Sequence, residues 1–359
     1  MKRIFKAIGG VVGGLATGKL FLDQINDLSK EYKKYNDHLE QSIIEFRKKY
    51  DDLQSLCDRL TLQTSEAILQ RSISETLPIP TTTALKECRD RTEKLKMWNT
   101  MFTNTIARIL CVSYAEALTF LSSRIQINVL YAKAYCPDKR RIPSKNDESG
   151  DDDDEEEEDE NDKTFGEYMK TFDELRRSEY VLTRGFRFLS VIAANAAATT
   201  IKSEGFTLEK KIDYEVMFQS LLFKSFEMMN GLIYEKMPLV ISPLNVLNAD
   251  MKMSPEVKSL YEFTSRIAIC NDFFFILKAC ASVHLMHVYQ TACHIFEGKG
   301  DGGVTEMTLK PVATILPHLL KISDSTMEKS TMAGLSQAMG SIELIDAFMF
   351  DIYRGILTI

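Results

Sequence analysis

The stretch that decides the fold is Lys94-Leu-Lys-Met-Trp98, which continues without glycine or proline through Arg124-Ile-Gln-Ile-Asn128 to Tyr135. Its apolar residues recur every three or four positions and cover more than one face, which is typical of a helix at the centre of a fold. It also contains Trp98, the only tryptophan of the chain. We therefore predict a central helix from about Trp98 to Tyr135. Its apolar positions are Met101, Phe102, Ile106, Ile109, Leu110, Tyr114, Leu118, Leu121, Ile125 and Val129.

The region before this helix is also predicted to be helical. No glycine occurs between Lys19 and Ser149, and glycine and proline are the residues that most often mark turns. From Leu28 to Leu60, apolar residues step by three and four among charged ones, which indicates one long helix that reaches about Ser74. A turn at residues 79–83 and a short helix over Ala84–Met97 follow.

The remainder of the chain shows the same helical period, and alternating period-two runs are scarce. A loop with Pro238 and Pro243 is predicted over Lys236–Ser254, and a turn over Gly298–Gly303. The predicted fold is all-α, a large single bundle of long helices on an N-terminal membrane anchor. The predicted helical segments are Phe165–Glu204, Leu208–Glu235, Pro255–Phe296, Val304–Asp324 and Lys329–Leu357.

One acidic run dominates the charge of the chain. Thirteen acidic residues lie within residues 147–162, and without them the net charge of −7 becomes +6. Like charges at this density repel one another and bury no face, so residues 137–163 are predicted to form a disordered acidic loop. The mildly basic remainder suits acidic partners or anionic lipids and is too weakly charged to indicate nucleic acid.

No motif for catalysis or a cofactor is visible. The seven dispersed cysteines include no CxxC pair, which indicates reduced thiols facing the cytosol. No phosphate-binding loop follows a strand, and no G-x-S-x-G element occurs. Cys280, His284 and His287 share a helical face and could approach a zinc ion, but their apolar surroundings favour packed side chains. We predict no enzyme activity, no cofactor and no metal.

The N-terminus is the candidate membrane anchor. Twelve uninterrupted residues, Ala7–Gly18, are fewer than the roughly 20 of a full span. If Lys6 and Lys19 extend their amines to the interface, Ile4–Leu22 becomes a marginal span. We predict an anchor over residues 1–22 that contacts membrane lipids, and a cytosolic domain over residues 23–359.

The order and spacing of these motifs resemble the peroxin-3 family. In that family a Lys-Leu-x-x-Trp segment is followed, after the same interval, by Arg-Val-Gln-Leu-Asn, and Trp98 and Arg124 keep that interval here. Pro311-Val-Ala-Thr-Ile-Leu-Pro317 also looks like the family's Pro-Leu-Ala-Lys-Ile-Ile-Pro element. The resemblance implies a single-pass peroxisomal or glycosomal membrane protein, facing the cytosol, that docks the receptor peroxin-19 and its membrane-protein cargo.

The resemblance also implies a groove that takes an amphipathic helix of peroxin-19. Trp98 would form its floor, Met101 would adjoin it and Lys94 would supply a charged edge. Asn128 would add a polar contact, and Tyr135 falls on a tyrosine next to the groove. The family's lysine in the proline element is Thr314 here, which puts an ionic contact from that side in doubt. A bulkier pair, Tyr131-Ala132, replaces two glycines of the family.

A different class of function stays open at this point. Residues Leu28–Leu60 could form an intermolecular seam, so that the chain acts as a coiled-coil-like organelle tether. A monomeric cytosolic domain is expected of a docking receptor, whereas an elongated dimer is expected of a tether.

Overall fold

The computed structural model describes residues 48, 51–52, 54–55, 68–135, 170, 180–241, 255–297 and 310–358. The chain divides into two units, Met1–Leu56 and Cys57–Ile359. The residues described in the first unit are all helical. The elements below belong to the second unit.

The described part of the second unit is almost entirely helical, which confirms the predicted all-α class. A π-helical turn at Val181–Gly185 precedes α4, and a 3₁₀ turn at Val312–Thr314 precedes α8. The helices are α1 (68–76), α2 (Thr82–Glu87), α3 (Arg91–Tyr135), α4 (Phe186–Ser203), α5 (Tyr214–Ile241), α6 (Pro255–Ala268), α7 (Asn271–Glu297), α8 (Leu316–Ser325), α9 (Lys329–Gly340) and α10 (Glu343–Thr358).

Helix α3 is the centre of the fold. It packs against α4, α5, α6, α7, α8 and α10, and nearly all of residues 101–130 are buried. Within the described residues, Arg91–Leu130 is the single straight helix long and apolar enough to cross a membrane, but 94% of its apolar window is buried inside the protein. Each fully buried aliphatic or aromatic side chain contributes about 1.5–3 kcal/mol. This segment is therefore the core helix, as its apolar residues on several faces predict.

Helices α4 and α5 form an antiparallel pair whose close approach depends on small residues. Ala193, Ala196 and Ala197 are fully buried on α4. Gly185, just before α4, lies so close to α5 that a Cβ there would be 2.1 Å from the Val240 carbonyl oxygen. Only glycine fits at this position. Gly205, in the turn after α4, has a φ of 60°, a conformation that glycine adopts without steric cost.

A two-residue antiparallel ladder is the exception to the helical fold. Strand β1 (Lys211–Ile212) pairs with β2 (Lys310–Pro311). The Val312 amide donates to the Lys210 carbonyl, which extends the contact by one residue. The ladder fastens the proline element to the turn between α4 and α5.

Two helix boundaries differ from the prediction because local caps and packing outweigh propensity. Helix α3 begins at Arg91 rather than Trp98, since the Asp90 carboxylate accepts the Thr92 amide at 2.9 Å and acts as an N-cap. Helix α5 continues through Pro238 to Ile241 instead of ending at Glu235. The Tyr180 hydroxyl donates to the Leu239 carbonyl at 3.0 Å beside the proline, which helps to satisfy the last turn.

Five predicted helical segments are divided or shortened. The short helix predicted over Ala84–Met97 is divided at residues 88–90, and the helix predicted from Leu208 begins at Tyr214. The segment Pro255–Phe296 bends by 84° at residues 269–270 and forms α6 and α7. In the segment predicted to start at Val304, the residues described from Lys310 onward form the ladder and the 3₁₀ turn before the α-helix begins at Leu316. The C-terminal segment breaks at residues 341–342 between α9 and α10. The breaks at residues 269–270 and 341–342 each bring a new apolar face onto α3 or α7.

Four predictions from the sequence fall outside the described residues. These are the anchor at residues 1–22, most of the apolar stripe of Leu28–Leu60, the acidic loop at residues 137–163 and the turn at Gly298–Gly303.

Candidate functional site

The first three turns of α3 contain no buried residue, although the helix becomes the core immediately afterwards. Over residues 91–100 every side chain is exposed or half-buried, and Leu95 keeps 49% of its surface in contact with solvent. Trp98 is half-buried at the point where the helix leaves the core. Met101, one turn further on, is buried. A half-buried tryptophan and an exposed leucine therefore lie on a helix end that includes no fully buried residue.

This exposed end is held by local hydrogen bonds rather than by packing. Asp90 caps α3, and Glu93 stands three residues later in the first turn, where its charge complements the helix dipole. The preceding short helix α2 is capped by the Thr81 hydroxyl, which accepts the Ala84 amide at 3.1 Å. Leu85 is buried, so it anchors α2 against the rest of the protein.

A second segment runs alongside the exposed turns. The Asn104 amide donates to the Pro78 carbonyl at 2.8 Å, and the Arg108 guanidinium donates to the Leu77 carbonyl at 2.9 Å. The chain then returns from Pro78 to Arg91 over α2. Segment 78–90 therefore starts beside Asn104 and rejoins α3 at Arg91, about 20 Å further along the helix axis at 1.5 Å per residue. It spans the length of α3 on which Trp98 lies.

The structure brings together three of the six site residues that the sequence predicts. Lys94, Trp98 and Met101 are four and then three positions apart, so they lie on one side of α3. Lys94 and Trp98 are half-buried, and Met101 lies beneath them as part of the core. Their arrangement offers an apolar surface with a cation at its edge.

The other three predicted residues lie elsewhere. Because α3 is continuous, Asn128 is about 45 Å from Trp98 and the backbone of Tyr135 is about 55 Å away. Asn128 is fully buried. Thr314 is exposed in the 3₁₀ turn, where its hydroxyl contacts the Tyr214 hydroxyl and donates to the Pro311 carbonyl. A partner helix of ordinary length does not reach Asn128 or Tyr135 from Trp98.

The Arg124–Asn128 segment, which is the second half of the motif, lies in the core of the fold. The Arg124 side chain is 4% exposed, its guanidinium lies 4.3 Å from the centre of the Phe120 ring, and it is 3.6 Å from the Asp346 carboxylate of α10. A buried arginine next to a carboxylate and an aromatic face is typical of a structural joint. Arg124 therefore helps to hold α10 on α3.

A buried polar cluster joins α3 to α7. His284 contacts the Ser113 hydroxyl through Nδ1 and the Glu116 carboxyl through Nε2, at 3.3 Å. Burial lowers the pKa of His284 to about 3 and raises the pKa of Glu116 well above its usual value. Burial therefore disfavours the charged form of both side chains. Since all three side chains are buried, the cluster is a packing contact rather than an accessible catalytic site.

The candidate zinc ligands do not converge. Cys280 and His284 are buried, whereas His287 is exposed. Over the described residues no three His, Cys, Asp or Glu side chains are placed to hold a metal ion.

A cleft of about 690 Å³ opens between α7 and α9, away from the elements that carry Trp98. Met286, Gly334 and Leu335 lie on its walls, and none of its lining residues is charged. It contains none of the predicted site residues. Its volume is suitable for a ligand, but it lacks the tryptophan and the charged edge of the α3 site.

The class defined by the fold and the site is an all-α scaffold with an exposed end on its central helix. The model of the Peroxin-3 family matches residues 22–191, a segment that includes α1 to α3 and the start of α4. Over this segment, which is just under half of the chain, the sequence is similar to the Peroxin-3 family. This similarity implies a role in peroxisome biogenesis and membrane-protein insertion at the peroxisomal membrane. No curated protein matches the chain.

Proposed function

We propose that this protein is a membrane-anchored docking receptor for peroxin-19, and that the partner's amphipathic helix binds across the first three turns of α3. The observation that carries the proposal is the half-buried Trp98 beside the exposed Leu95, on turns that bury no residue of their own. These turns lie inside the segment that the family model matches. Residues 1–22 form the anchor in this proposal, and the remainder of the chain faces the cytosol.

Recognition in this proposal is helix-in-groove binding without chemistry. Apolar anchors of the partner cover Trp98 and Leu95 and remove their surface from water, which is favourable in proportion to the apolar area buried. Tryptophan is enriched among the residues that dominate interface energies. Lys94 at the edge attracts an acidic group of the partner and acts mainly on the encounter rate.

The proposed contact set is smaller than the set implied by the resemblance. Lys94 and Trp98 contact the partner directly, and Met101 supports Trp98 from below. Asn128, Tyr135 and Thr314 are left out because of their distance or their local bonding. The exposed surface of residues 91–100 is about 15 Å long, which suits a partner helix of three to four turns.

The single tryptophan makes the test direct. A synthetic peptide with the amphipathic helix of peroxin-19 is titrated into the folded cytosolic domain, and the emission of Trp98 is followed. We expect a blue shift that saturates at one peptide per chain, because the peptide excludes water from the indole. Met286→Ala, in the cleft between α7 and α9, is the matched control and should bind normally. A saturable complex with unchanged emission, abolished by Met286→Ala, would relocate the docking site to the cleft.

A further inference from the structure

We infer that Asn104 is a positioning residue of the docking site: by holding the Pro78 carbonyl it fixes the segment 78–90 as the second wall beside Trp98. This inference rests on the proposed docking function and adds a residue that touches no partner. Its basis is the hydrogen bond of 2.8 Å between the Asn104 amide and Pro78, 26 positions earlier in the chain.

Asn104 stands at the boundary between the two parts of α3. It is half-buried, six positions after Trp98, and lies on the first turn that also carries buried core residues. The Asn104 side chain is therefore held by the packed part of α3, whereas the Pro78 carbonyl that it binds lies at the start of segment 78–90. The hydrogen bond between them fixes the position of that segment relative to the packed part of α3.

The segment 78–90 has few other attachments to α3. The wall contains two prolines, Pro78 and Pro80, which have no amide to donate. Leu85 is its buried apolar residue, since its other side chains with described burial are half-buried or exposed. Segments with few buried contacts open locally at low cost. The bond from Asn104 at the start of the wall, and the one from Arg108 to Leu77 just before it, therefore control where the wall lies.

The chemistry of the contact gives a selective substitution. Asn104→Asp keeps the size and shape of the side chain but replaces the donating amide by a carboxylate oxygen, which accepts only. An oxygen facing the Pro78 carbonyl repels it, so the wall is released while the core below stays intact. Asn104→Ala removes the contact without repulsion and serves as the milder second variant.

The test separates a positioning role from a general structural one. Amide hydrogen exchange of residues 82–88 is measured in the free cytosolic domain, together with thermal unfolding and the affinity for the peroxin-19 peptide. For Asn104→Asp we expect faster exchange over residues 82–88, an almost unchanged melting temperature and roughly three- to tenfold weaker binding, in the range of one lost hydrogen bond. Asn104→Ala should give a smaller change of the same kind.

The matched control is Tyr234→Phe, which removes a hydrogen bond of 3.0 Å between α5 and α7 at a distance from the wall. It should change neither exchange over residues 82–88 nor binding. Unaltered exchange and affinity in both Asn104 variants would overturn the inference. So would a loss of affinity that only parallels a lower melting temperature. If the wild-type domain does not bind the peptide, the docking proposal and the docking role of Asn104 both fail. If the wild type binds and Trp98→Ala does not, while Asn104→Asp binds normally, only the inference fails.

Discussion

One helix contains both the most buried and one of the least buried regions of this protein. Residues 101–130 of α3 are almost completely enclosed by neighbouring helices, whereas residues 91–100 of the same helix include no fully buried residue. The exposed turns nevertheless carry Trp98, Leu95 and Met97, which a soluble helix would normally turn towards a core. Helix propagation from the packed region and the Asp90 cap are sufficient to keep these turns folded.

The contrast between residues 91–100 and 101–130 shows that apolar content alone does not determine whether a helical segment is buried. In residues 101–130 apolar side chains stabilise the fold, because neighbouring helices remove them from water. In residues 91–100 similar side chains contribute little to folding, and their surface is available to a partner. The predictions below test this division, beginning with the largest expected effect.

The strongest test compares Phe102 with Leu95. Phe102→Ala should lower the free energy of unfolding by about 3–5 kcal/mol, because the ring is fully buried and leaves a cavity. Leu95→Ala should change it by less than about 0.5 kcal/mol, since half of that side chain is in solvent. Urea unfolding followed by circular dichroism measures both. Similar losses for the two variants would contradict the division of α3.

The second prediction concerns pH and the buried Glu116–His284 pair. The pKa of His284 is about 3 in the folded chain and 6.5 in the unfolded chain. Between these pH values the unfolded state binds more protons than the folded state. The free energy of unfolding therefore decreases as pH falls through this range. The raised pKa of Glu116 acts in the opposite direction above its unfolded value of 4.5, since the folded state then holds the proton. The two effects oppose each other between about pH 4.5 and 6.5.

Glu116→Gln separates these contributions. The variant should lose roughly 1 kcal/mol per pH unit as pH falls from 6.5 towards 4.5, whereas the wild type should show little change from this pair in the same range. Urea titrations at several pH values provide the measurement, and His284→Asn in the same background should remove the slope. Parallel pH profiles of Glu116→Gln and wild type would show that His284 is not held neutral by burial.

The third prediction concerns Trp98. Trp98→Ala should weaken binding of the peroxin-19 peptide by about thirtyfold or more, equivalent to about 2 kcal/mol, and should destabilise the fold less than Phe102→Ala does. Calorimetric titration measures the affinity. A strongly destabilised Trp98→Ala protein whose folded fraction binds normally would place Trp98 with the core instead of the docking surface.

The smallest expected effect is that of Lys94. Lys94→Glu should reduce the association rate at low salt by a few-fold, and the reduction should shrink as salt is added, because an edge charge acts mainly on encounter. The control is Lys86→Glu, which makes the same change of charge on the exposed face of α2. An equal reduction in this variant would show that the overall surface charge, rather than the position of Lys94, sets the association rate. Stopped-flow fluorescence of Trp98 gives the rates. If Lys94→Glu instead lowers the affinity through a faster dissociation rate that does not depend on salt, Lys94 makes a direct, desolvated contact with the peptide.

Some features of the fold could not be predicted from local sequence. Pro238 normally ends a helix, but the buried Met237, Val240 and Ile241 carry α5 past it. The bend at residues 269–270 contains neither glycine nor proline, so packing rather than residue type decides it. The site prediction was likewise limited, since spacing along the sequence places Trp98 and Asn128 in one motif but does not show that a continuous helix separates them by about 45 Å.

Local sequence is sufficient to predict that the chain is all-α and that α3 is its central helix. These conclusions follow from hydrophobic period and from the scarcity of glycine and proline, which are local properties of a chain. The tertiary structure was needed to show which part of α3 is enclosed, that Arg124 and Asn128 belong to the core and that the Asn104 amide reaches the Pro78 carbonyl. Burial depends on which distant segments meet, and no local pattern in the sequence contains that information.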